Sequence, residues 1–163
     1  MKVMDELGLM ICRYQGKLFR ASIDGESCSS PIFIRRFAYS DLAKRMDYGG
    51  FMFTAEDINN ALDDIKDQYG ESSYGKTKYG KEEMYWIGYI YRYWVYTYER
   101  STEWVYTQVK PGELRDLYFP YHSLDPAQAI ERIIEAKGIE SVDDIAHGVR
   151  VMRKVREKME KNY

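Results

Sequence analysis

Arg115 and His122, with six residues between them, are the side chains whose chemistry is easiest to name. A guanidinium can hold a phosphodiester through two parallel hydrogen bonds, and an imidazole titrates near neutrality and can move a proton. Together they could assist cleavage of a phosphoester. The competing reading of Arg115-Asp116-Leu117-Tyr118-Phe119-Pro120-Tyr121-His122 is an exposed helical arginine and a histidine in the turn before Asp125-Pro126. Pro120 removes a helix hydrogen bond and is expected to turn the chain, leaving the two side chains pointing apart.

Other titratable groups form looser constellations. Asp143 and His147 stand four apart and could meet on one helical face. No further ligand pair is spaced to complete a metal site, so a solvated ion pair is expected and no metal is assigned. Asp63, Asp64 and Asp67 read as the wet face of an amphipathic helix. Lys76, Lys78 and Lys81, interleaved with Tyr74 and Tyr79, make a basic and aromatic segment of the kind that contacts phosphates and stacks on bases; the alternative is a solvated connector. Gly75-Lys76-Thr77 is not read as the end of a Walker A loop, since the motif's upstream Gly is read as absent and no strand leads into it, and no cofactor is expected.

A different chemistry, that of interfaces, is suggested by Tyr85 to Tyr98, where eight of fourteen residues are Tyr or Trp. Such side chains bury large areas, and their hydroxyl and indole N–H groups need partners, so the stretch belongs in a core with polar seams or on a binding surface. One stripe, Met84, Ile87, Tyr91, Trp94 and Tyr98, has helical spacing and suits a core. Tyr89, Tyr93 and Tyr96 lie on another face and are the candidate partner-binding residues.

The elements that must position these groups are mostly helices. Ser30-Pro31 reads as a helix start, with Ser40-Asp41 resetting the cap and Gly49-Gly50 ending the run. Thr54 with Glu56-Asp57 opens the next helix, which Gly70 stops, and 70–80 reads as an exposed loop. Glu82-Glu83 begin the aromatic helix. Ser101-Thr102 starts a short segment that fits helix or strand, with the cap favouring helix. Pro111, Asp125-Pro126 and Ser141 with Asp144 are three more starts, and Gly138 is a stop. Only 9–23 reads differently: Met10, Cys12 and Tyr14, then Phe19, Ala21 and Ile23, alternate around Gln15-Gly16, which fits a β-hairpin as well as a helix.

Composition limits the function classes. A chain of 163 residues with 45% apolar content fits a single domain, and a formal charge of −2 argues against a surface that is basic throughout and wraps nucleic acid. Two cysteines, Cys12 and Cys28, are too few for a disulfide framework and point to a reducing, cytoplasmic setting. Asp5, Glu6 and Arg13 bracket an apolar run too short for a signal peptide. Arg92 and six tyrosines interrupt the aromatic stretch, so no membrane segment is expected.

Two resemblances bear on function. The Arg115 to His122 segment resembles the R-x(4–6)-H signature of HEPN-type ribonucleases, small all-helical domains whose Arg and His, usually with a polar residue after the Arg, assist RNA cleavage; here Asp116 is that residue, and Pro120 departs from the pattern. More widely, 32–136, including YWIGYIYRYW and LYFPYHSLDPAQAIERI, is similar to an uncharacterised group of small bacterial proteins associated with toxin–antitoxin or other mobile-element operons. That resemblance implies a non-catalytic, antitoxin-like component whose partner is a cognate toxin or operon neighbour; nucleic acid is a further candidate partner. The expected fold is mainly α, a compact bundle of roughly six or seven helices around the aromatic helix.

Overall fold

The computed structural model describes residues 1–49, 57–139 and 142–161. Among them are nine helices and no strand: α1 (Glu6–Gly25), α2 (Ser30–Tyr39), α3 (Asp41–Gly49), α4 (Ile58–Tyr69), α5 (Lys81–Tyr98), α6 (Thr102–Gln108), α7 (Pro111–Tyr121), α8 (Pro126–Lys137) and α9 (Val142–Lys161). No described helix is long and apolar enough to cross a membrane.

The region that fitted a hairpin is α1. Asp5 caps it by accepting from the Gly8 N–H at 2.8 Å, and its buried positions include Gly8, Ile11, Cys12, Gln15, Leu18, Phe19 and Ser22 at helical spacing, with Tyr14 and Gly16 buried beside them. The apparent turn at Gln15-Gly16 is the middle of the helix, where α1 lies along α5 in the largest helix pairing of the fold. Gly16 is there for proximity: a Cβ on it would come within 2.8 Å of the Tyr85 ring. On the opposing helix, a Cβ on Gly88 would stand 2.7 Å from the Gln15 carbonyl oxygen. Packing overrides the alternating pattern, because two backbones this close need small residues at the crossing.

α5 also touches α6, α7 and α8, and its stripe of Met84, Ile87, Tyr91 and Trp94 is buried, with Tyr98 half-buried. Phe19 meets Phe33 and Phe37 edge-on at 5.5 and 5.0 Å between ring centres, which ties α1 to α2.

Most caps fall where the sequence places them. Ser40 accepts from the Ala43 N–H, Ser101 from Trp104 and Asp125 from Ala127, while Gly138 ends α8 in the left-handed region. The cap of α2 is Ser29 rather than Ser30, whose hydroxyl instead accepts from the Tyr79 N–H at 2.9 Å. For α4 the cap is Asp57; Thr54 and Glu56 lie outside the described residues, as does Ser141 before α9.

Candidate functional site

Arg115 and His122 are both carried by α7, which runs through Pro120 to Tyr121 with His122 as its helical C-cap. The expected turn at Pro120 does not occur. The helix persists past Pro120 although the proline has no N–H to offer the Asp116 carbonyl one turn earlier. Seven residues apart, the pair share a helical face at a rise of about 10 Å. Each side chain is engaged elsewhere. Arg115 donates through Nε to Glu83 at 3.3 Å and lies over the Tyr79 ring at 4.5 Å. His122 stacks on Tyr118 at 4.5 Å, its Nδ1 2.8 Å from the Tyr118 carbonyl oxygen. Among the described residues no hydrogen bond, ion pair or ring contact joins Arg115 to His122.

Tyr89, Tyr93 and Tyr96 are all half-buried. Tyr85, Tyr89 and Tyr93 form a stacked ladder, with ring centres 6.2 and 6.3 Å apart. Burial pushes the Tyr89 hydroxyl up to about 12, with nearby Cys12 and Tyr85 adding to the rise, so it stays protonated at neutral pH. Tyr96 is occupied within the fold: its hydroxyl donates to Asp5 at 2.8 Å, and the Lys2 ammonium sits 4.0 Å from the ring centre. The aromatic face is thus a seam between α5 and its neighbours more than an open surface.

The lysines of the 70–80 segment divide by role. Lys78 donates to the Glu26 carbonyl at 2.6 Å and ties the segment to the end of α1, while Lys81, the first residue of α5, pairs with Asp24 at 3.7 Å on the surface. Lys76 is exposed. The segment is docked, since the Ser29 and Ser30 N–H groups donate to the carbonyls of Tyr74 and Thr77. The upstream Gly read as absent is in fact Gly70: from Gly70 to Thr77 the chain spells G-x-x-x-x-G-K-T, the Walker A spacing in full. Its setting is not that of a phosphate loop, because a helix precedes it and α5 begins only at Lys81.

Two features legible in the sequence take their role only from the fold. Arg92, in the middle of α5, is 2% exposed; it donates to Gln15 at 2.6 Å, Asp47 at 2.7 Å and Thr102 at 2.9 Å, joining α1, α3, α5 and α6. Its interruption of an apolar run was the available signal. The second is α9, in which every described side chain, 149–161, is exposed. Val149, Met152, Val155 and Met159 recur three and four apart along it, with Met152 74% exposed. Their spacing was legible, but that no described helix covers them was not.

The expected Asp143 and His147 pair falls on side chains outside the described residues, and Asp63, Asp64 and Asp67 lie on α4, where Asp64 pairs with Arg45 at 3.2 Å. No group of three or more potential metal ligands occurs among the described residues. Cys12 and Cys28 are free and buried, and burial raises the Cys12 thiol to about 12, which makes it unreactive. No family model, no curated protein and no solved structure matches the chain.

Proposed function

We propose that this chain is a non-catalytic interaction protein of the bacterial cytoplasm, antitoxin-like in the sense its sequence resemblance implies, built as a compact bundle on α5 that presents α9 to a protein partner. The observation that carries this reading is α9 itself. Soluble proteins rarely leave a contiguous apolar stripe uncovered, and an amphipathic helix with apolar positions three and four apart is the form that enters a partner's groove. From 149 to 161 the polar residues include six Lys or Arg against two Glu, so the complementary groove is apolar at its floor and acidic at its rim. The half-buried Tyr89 and Tyr93 are secondary contacts at most in this reading, and Tyr96 is held by Asp5. Hydrogen exchange of 149–161, alone and with the product of a neighbouring gene, tests it: protection should appear only in the complex.

A second reading, a HEPN-like ribonuclease using Arg115 and His122, gains from the continuity of α7 through Pro120, which keeps both residues on one helical segment. It requires Arg115 to leave Glu83 and Tyr79. Metal-independent RNA cleavage that disappears in a folded His122→Ala variant would establish it; the interaction reading expects cleavage no higher than that control.

A further inference from the structure

We propose a nucleotide-binding cleft between α2 and the 70–80 segment, on residues that neither functional reading uses. The cleft has a volume of about 490 Å³ and is lined by Arg35, Arg36, Tyr39, Tyr69, Ser72 and Tyr74, with Ile32 at its apolar floor and no carboxylate among its lining residues. That size suits one nucleotide, and the lining combines a few polar groups with aromatic walls.

Each wall is set by the fold. Adjacent positions on α2 supply the two guanidiniums. Arg36 donates through Nη1 to the Gly70 carbonyl at 2.7 Å and lies 5.6 Å from the Tyr69 ring centre, which fixes its plane while leaving other N–H donors. Arg35 is exposed and makes no ion pair among the described residues. Tyr74, 75% exposed, is carried by the segment docked on the α2 N-terminus, and Tyr69 ends α4. Guanidinium forks bind phosphate oxygens bidentately, and exposed tyrosine rings stack on bases of any identity.

The basic and aromatic character continues past the cleft. Tyr39 meets Tyr106 edge-on at 5.7 Å, and the Lys110 ammonium lies 4.2 Å from the Tyr106 ring centre. At the other end, exposed Lys76 is two residues from Tyr74. A single strand seated on Tyr74 and the arginine pair would find a further cation, Lys110, beyond Tyr39 and Tyr106. The shared ligand chemistry is a base carrying phosphate, from a single strand or from a free nucleotide.

The test is fluorescence anisotropy with the full chain and a labelled single-stranded U12 RNA at 50 and 200 mM salt, with ATP titrated separately and as competitor. Arg35→Glu and Tyr74→Ala are the cleft variants, chosen because both positions are exposed. Lys154→Glu/Lys158→Glu on α9 is the control for attraction to the basic helix. Binding weakened about tenfold by each cleft variant, with a salt slope reduced by about one in Arg35→Glu, supports the cleft. Binding of U12 well beyond ATP assigns a strand, and ATP binding as tight as U12 assigns a free nucleotide. Failure of both probes to bind at the lower salt, or binding that the cleft variants leave intact, overturns the proposal.

Discussion

Arg92 and Asp47 form an ion pair with 2.7 Å between Nη1 and Oδ1, their side chains only 2% and 9% exposed. The pair is worth its desolvation only because the rest of the network is complete: Gln15 and Thr102 take the remaining faces of the guanidinium, and the Thr102 N–H donates to the second Asp47 oxygen at 2.9 Å. Removing one partner leaves the other charge buried. Arg92→Leu should therefore cost about 3–5 kcal/mol in urea unfolding, and Arg92→Lys, which keeps the charge and loses the fork, less. A loss under about 1 kcal/mol for Arg92→Leu would show that the network does not hold the four helices together.

The α1–α5 crossing makes a second demand. A side chain at Gly88 must displace either the Gln15 carbonyl, 2.7 Å from its Cβ, or the Phe19 ring at 2.8 Å. Neither can move far, since Gln15 also donates to the Gly88 carbonyl and Phe19 packs between two aromatic rings. Gly88→Ala should lower stability by about 1–3 kcal/mol despite the better helix propensity of alanine. A stabilised variant, read as a raised thermal midpoint, would mean the helices are not in contact there.

Stability should also depend on pH through Glu26. Burial raises its carboxyl above the ordinary 4.5, against the opposing pull of Lys66, Arg36 and Lys78, and its Oε1 finds no hydrogen-bond partner. With the folded-state value above the unfolded one, the folded protein binds more protons in the interval between them. The contribution is fully present below the unfolded value and is lost as pH rises through the folded one. Glu26→Gln should therefore gain stability relative to the parent as pH climbs from 4 to 7, measured by urea midpoints. A constant difference between the two across that range would assign Glu26 an unperturbed carboxyl.

How much of this was legible in the sequence depended on whether the signal was local. Caps are local: Ser40, Ser101, Pro111, Asp125 and Gly138 mark helix ends because each satisfies or terminates backbone within a few residues. The identity of α1 was not local, since Gly16 and Gln15 make sense only opposite Tyr85, Gly88 and Arg92 on a helix some seventy residues away. Pro120 misled because α7 continues to Tyr121 despite the hydrogen bond that the proline removes. The cleft beside α2 was not legible in outline, because α2 contributes its arginines and the 70–80 segment its tyrosine.

The central claim, that α9 docks in a protein partner, is tested most directly by calorimetric titration of the neighbouring gene's product into the full chain and into Met152→Asp/Val155→Asp. Both substituted side chains are exposed in the free protein, so the variant should fold with an unchanged thermal midpoint. A one-to-one complex with Kd of about 1 μM or tighter is expected, weakened at least about a hundredfold by the variant, because each aspartate would carry an unpaired charge into an apolar groove. Equal affinity for both proteins, or a chain that sediments alone as a dimer until the variant dissociates it, would show that α9 is not the helix that docks in a protein partner.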